Sequence, residues 1–124
     1  MRQDYGSAIH LFPAIDPFDS GFFERDNHQI YYEQTGNPAG KVILFLHGGP
    51  GAGCSPAHRR LFDPKKFRVI FIDQRGSGRS KPYGSTVNNT TQDLISDMNY
   101  LRQSLEIEKW ALFGGSWGST LALA

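Results

Sequence analysis

Three short, unbroken apolar runs punctuate the chain: Val42 to Leu46, Val69 to Ile72 and Trp110 to Phe113. They are rich in β-branched and aromatic residues and lack polar alternation, the pattern of strands covered on both faces in a parallel sheet. Between the second and third runs, Leu94, Ile95, Met98, Leu101 and Leu105 recur at helical spacing and predict an amphipathic crossover helix. Asn89, with Gln92 three residues on, is its expected N-cap. A shorter helix is expected from about Ser55 to Phe62, with Pro56 in its first turn. Upstream, Phe22 to Glu24 and Gln29 to Gln34 predict paired strands turning near Asp26 and Asn27. Ile30 and Tyr32 fall on one face of that hairpin, Tyr31 and Glu33 on the other.

Strand, helix, strand, helix, strand, with glycine-rich loops after each apolar run, describes an α/β fold. The expected architecture is a doubly wound, mostly parallel sheet with an antiparallel N-terminal hairpin. In such a sheet chemistry gathers at the carboxyl ends of the strands. The whole chain, 1–124, is expected to form one domain unit, since no repeat, linker or low-complexity tract divides it.

Charge narrows the function. Thirteen basic residues against 12 acidic ones leave a formal net charge of +1, which offers no electrostatic reason to expect nucleic acid or an anionic membrane as partner. No apolar stretch approaches a membrane span, and residues 1–15 do not read as a signal peptide. Cys54 is the sole cysteine, so no internal disulfide can form and a cytoplasmic location is expected. No histidine and carboxylate spacing suggests a metal site, and no cofactor is implied.

The third apolar run ends in Gly114-Gly115-Ser116-Trp117-Gly118, a G-x-S-x-G string between a predicted strand and an apolar stretch, Thr120 to Ala124, that suits a helix. This is the context of a nucleophile elbow, in which small neighbours let the serine hydroxyl project from a strained strand-to-helix turn. Ser116 is therefore the candidate nucleophile. The first run ends in His47-Gly48-Gly49-Pro50-Gly51, a glycine loop suited to an oxyanion hole. Its donors are expected from the backbone N–H of Trp117 and of Gly49, or of Gly48. A glycine turn that merely permits close packing is the plainer reading of this loop. His47 is expected to orient it, while His10, His28 and His58 lie in no motif.

The second run leads into Asp73-Gln74-Arg75-Gly76-Ser77-Gly78-Arg79-Ser80. Its glycines do not have the spacing of a dinucleotide fingerprint, and no Gly-Lys-Ser/Thr ending marks a phosphate loop. A structural turn shaped by Asp73 and Arg75 is the favoured reading, with direct substrate contact the alternative.

Taken together, HGGPG, DQRGSGRS and GGSWGSTLALA, in this order and at these separations, resemble the prolyl aminopeptidases, also called proline iminopeptidases. The resemblance spans roughly residues 10 to 124. It implies an α/β-hydrolase fold and a serine peptidase that releases N-terminal proline from peptides, without a cofactor, through an acyl-enzyme. Ser116 matches the nucleophile, and Trp117 with Gly48 and Gly49 matches the oxyanion site.

In this fold the triad order is Ser, then Asp or Glu, then His, so the partners of Ser116 are expected beyond Ala124. The chain then corresponds to the N-terminal part of the fold, cut after the elbow, with the lid and the rest of the sheet absent. Alone it is expected to be inactive, and the open edge of the 110–113 strand to favour self-association. Two other functions compete: an esterase or amidase of different specificity, and a short non-catalytic binding module.

Overall fold

The computed structural model describes residues 11–47, 53–84 and 90–114. They form β1 (Asp19–Arg25), β2 (His28–Gly36), β3 (Lys41–Leu46), β4 (Phe67–Ile72), the helix α1 (Thr91–Ser104) and β5 (Ala111–Gly114). A six-residue 3-10 turn, Pro56–Leu61, lies between β3 and β4. The strands make one sheet in the order β1-β2-β4-β3-β5. β3 runs parallel to both β4 and β5, whereas β2 is antiparallel to β1 and to β4. The sheet is thus mixed, because the hairpin attaches through a second antiparallel ladder rather than standing apart.

Local chemistry explains the elements. Asp26 and Asn27 both take positive φ, 50° and 66°, the two-residue turn whose twist matches a hairpin and which Asn and Asp tolerate best. It sets Arg25 opposite His28 and extends pairing to Asp19 opposite Gln34, well beyond the expected strands.

The helix begins one residue later than expected. Its N-cap is Thr90, not Asn89, which lies outside the described residues. The Thr90 Oγ1 accepts from the Asp93 N–H at 3.1 Å, and the Asp93 carboxylate accepts from the Thr90 N–H at 3.0 Å. That reciprocal pair replaces the anticipated one with Gln92. A carboxylate is the better partner, since it also meets the positive end of the helix dipole. The expected helix at 55–62 is the 3-10 turn instead, with the Ser55 N–H donating to His58 Nδ1 at 3.0 Å. Burial holds the His58 imidazole below its ordinary titration range, which keeps that acceptor unprotonated.

Alternation along β3 and β4 divides the apolar residues between two cores. Leu44, Leu46, Ile70 and Ile72 face α1 and pack with Ile30, Leu94, Met98, Leu101 and Ile107. Ile43, Phe45, Val69 and Phe71 face the 3-10 turn and pack with Cys54 and Phe62. A strand with a core on each face has no polar side, which is why both read as unbroken apolar runs. Each such side chain contributes about 1.5–3 kcal/mol by leaving water. β5 pairs with β3 alone among the described residues, and Leu112 and Phe113 are exposed.

Candidate active site

The parallel ladders fix where three loops emerge. Leu46, the last residue of β3, stands beside Ile72 on one side and Gly114 on the other. Adjacent strands lie roughly 4.8 Å apart, so the chain leaves β3, β4 and β5 at one edge within about two strand spacings. His47-Gly48-Gly49, Asp73-Gln74-Arg75 and Gly115-Ser116-Trp117 follow directly. Ser116, Trp117, Gly48 and Gly49 themselves lie outside the described residues, and what is on view is the frame from which their loops depart.

That frame is polar and buried. His47 Nε2 accepts from the Gln74 N–H at 3.2 Å, so the end of β3 is tied to the end of β4. Asp73 Oδ1 accepts from the Cys54 N–H at 2.8 Å, and Oδ2 from the Arg79 N–H at 2.9 Å and its Nε–H at 3.0 Å. Ser80 Oγ donates to the Asp73 carbonyl and accepts from the Tyr31 N–H, tying the same turn to β2. Arg75 is fully buried and grips Asp97 of α1 with two bonds, 2.6 and 2.7 Å, and reaches Asp26 of the hairpin turn at 2.9 Å. The expected structural turn is what Asp73 and Arg75 build. Burial raises the Asp97 carboxyl above its ordinary range, and the adjoining guanidinium opposes that shift.

Sequence reasoning missed a second polar cluster beside the 3-10 turn. Glu33, buried on β2, receives Arg59 at 2.5 and 2.9 Å, Arg79 at 3.3 Å and the Tyr31 hydroxyl at 3.1 Å. The Arg79 guanidinium carbon also sits 3.8 Å over the Tyr31 ring centre. The signal was present in part: alternation puts Glu33 on the face that Phe71 shares, and an acid there must be paired.

Cys54 is a buried thiol pointing at the Ile72 carbonyl at 3.5 Å. Burial first, then the nearby Asp73 and Glu33 charges, push its titration far above the ordinary thiol range. A thiol so buried, with its titration raised, is disfavoured as a nucleophile. Native protein is expected to react with a thiol-specific disulfide reagent at pH 8 far more slowly than the same protein in denaturant. Equal rates would place the thiol at the surface.

Among the described residues no three His, Cys, Asp or Glu side chains gather to hold a metal ion, and no helix is long and apolar enough to cross a membrane. A groove of about 350 Å³ lined by Lys41, Val42, Lys109, Trp110 and Ala111 lies at the opposite, amino-terminal edge of β3 and β5. It is remote from the frame.

The chain is similar to known proteins in sequence and in fold. A proline iminopeptidase of Xylella fastidiosa strain 9a5c is 55% identical over 115 residues, covering 92% of this chain and 37% of that protein. A proline iminopeptidase of Arabidopsis thaliana is 50% identical over 115 residues, covering 92% of this chain and 30% of its own length. The chain thus spans about a third of these relatives. Among solved structures, a proline iminopeptidase-related protein from Thermus thermophilus superposes with a TM-score of 0.74 at 30% identity, over 88% of this chain and 39% of that one. A family model described as alpha/beta hydrolase fold matches residues 41–124. With that match across most of its length, the chain belongs to the alpha/beta hydrolase fold family.

Proposed function

We propose that this chain is the N-terminal part of a serine aminopeptidase that releases proline from the N-terminus of peptides. Ser116 is its nucleophile, and the N–H groups of Trp117 and Gly49, or Gly48, form its oxyanion hole. The observation that carries the reading is the register of β3 and β5, with Leu46 beside Gly114. It starts the HGGPG loop and the GGSWG elbow at neighbouring points of one edge, as a tetrahedral intermediate held between nucleophile and donors requires. The names of the relatives support the substrate class.

In the proposed reaction the Ser116 hydroxyl attacks the carbonyl carbon of the N-terminal prolyl residue, and its proton passes to a histidine supplied beyond Ala124. The oxyanion is held by the two N–H groups while the peptide nitrogen leaves with that proton. Water then opens the acyl-enzyme and frees proline, the histidine now acting in reverse.

The natural full-length protein is expected to hydrolyse an L-prolyl arylamide faster than other aminoacyl arylamides or simple esters. Ester turnover without prolyl release would replace this reading with an esterase of other specificity. A folded protein inert to every substrate and to a fluorophosphonate would favour a binding module.

A further inference from the structure

The five residues 48–52 carry the proposed oxyanion donors; His47, which precedes them, and Cys54, one residue beyond Gly53, are both bonded to the Asp73-Gln74 dipeptide that follows β4. On the near side, His47 accepts from the Gln74 N–H at 3.2 Å. On the far side, the Cys54 N–H donates to Asp73 Oδ1 at 2.8 Å. The Arg79 guanidinium completes the grip, donating to Asp73 Oδ2 at 3.0 Å and to the Cys54 carbonyl at 3.4 Å. The peptide group before Cys54 and the carbonyl after it are thus both held by one ion pair.

Two glycines make room for this carboxylate. Gly53 has φ +77°, and a Cβ there would stand 2.7 Å from the Gly78 Cα and 3.1 Å from the Asp73 carboxyl carbon. Gly78 has φ +54°, and a Cβ there would stand 2.5 Å from Asp73 Oδ2. Both the backbone conformation and the space admit only glycine at these positions. So close an approach of two loops around one buried carboxylate goes beyond what a surface turn requires. A three-bond carboxylate with an arginine behind it is a rigid point of attachment.

We propose that Asp73 is a positioning residue for the oxyanion hole: clamped by Arg79, it fixes the Gly53–Cys54 end of the 48–52 loop, while its neighbour Gln74 fixes the His47 end. The inference rests on the reading of Gly49 or Gly48 as an oxyanion donor. The Asp73 carboxylate bonds to Cys54 and Arg79, and its proposed action is through the backbone it holds.

The test is Asp73→Asn in the natural full-length protein. The amide is the size of the carboxylate, but its NH₂ must face either the Cys54 N–H or the two Arg79 donors, so one end of the clamp opens in either orientation. Active sites are counted with a fluorophosphonate taken to completion, and kcat is expressed per counted site on a prolyl arylamide and on a simple acetate ester. The expected result is a fall in kcat of about tenfold to a hundredfold on both substrates, the loss that follows a misplacement of roughly 1 Å. KM should stay within about threefold, and affinity for a boronic acid that mimics the tetrahedral intermediate should fall in parallel with kcat.

A variant with fewer countable sites but wild-type kcat per site, and wild-type boronate affinity, would overturn the proposal, because Asp73 would then serve stability alone. Should Asp73→Asn fail to fold, Arg79→Lys takes its place. It keeps the charge at a half-exposed position and loses the Nε–H and Nη2 contacts, and it is read by the same two criteria. The ester separates the two readings: a wild type that cleaves ester but no prolyl arylamide rejects the aminopeptidase while the clamp is still measured. A wild type that cleaves neither removes the oxyanion hole and the clamp together.

Discussion

Ser116→Ala in the natural full-length protein is expected to lower kcat on a prolyl arylamide by about 10⁴- to 10⁶-fold, with little change in KM. Removing the hydroxyl removes the acyl-enzyme, so nothing remains to split the reaction into two easier steps. The change removes a single oxygen atom, and the two described cores that hold the sheet are built from apolar residues elsewhere in the chain. What survives is the electrostatic contribution of the oxyanion donors, which alone gives about 10³- to 10⁴-fold over the uncatalysed reaction. The measurement is steady-state release of the arylamine, paired with loss of fluorophosphonate labelling at the elbow peptide. Retention of more than about 1% of wild-type kcat with labelling elsewhere would move the nucleophile to another residue.

The largest stability effect is expected at Arg75. Arg75→Met leaves Asp97 buried on α1 without its two bonds, and Asp26 without its partner on the hairpin turn. An uncompensated buried charge of this kind costs about 3–5 kcal/mol, readable in urea unfolding of the full-length protein. Adding Asp97→Leu to the same chain removes the orphaned carboxylate, and the double variant should recover a large part of that loss. A cost below about 1 kcal/mol for the single change would mean that water reaches Asp97 and takes the place of the guanidinium. Because the pair is hidden and its Asp26 arm is half exposed, salt should weaken the second contact and leave the first almost untouched.

β3 and β4 were legible because a strand covered on both faces has nowhere to put a polar side chain, whereas β5 shows the same apolar run with Leu112 and Phe113 exposed. Val42 to Leu46 and Val69 to Ile72 therefore carry an uninterrupted signature. The hairpin was legible from the Asp26-Asn27 pair. The start of α1 was not, because Asn88, Asn89, Thr90 and Thr91 are four consecutive residues that can each cap a helix. Only the acid three residues after Thr90 breaks the tie. The stretch 55–62 has the composition of a helix, yet Pro56 and the Ser55–His58 bond wind it into the tighter 3-10 form.

Of the site, the glycine strings and Ser116 were conspicuous as patterns in the sequence, and Ser116 itself lies outside the described residues. The frame behind them was half visible. Asp73 and Arg75 were expected to shape their own loop. That Asp73 reaches 19 residues back to Cys54, and Arg75 reaches 22 forward to Asp97, follows from how the crossovers stack on the sheet and leaves no local trace. The same holds for Glu33 and Arg59, 26 residues apart.

Arg75 joins the hairpin turn to α1 across 49 and 22 residues, and the Gln29 and Lys81 backbones exchange two bonds. The full set of these bonds is complete only when hairpin, β4 and helix are all in place. The segment that frames the site is therefore expected to be completed late in folding, since loop-closure entropy must be met before distant contacts return anything. In amide exchange the Gln29 and Lys81 N–H groups should then open with the whole sheet rather than by local fraying, so that the edge of the site shares the lifetime of the fold.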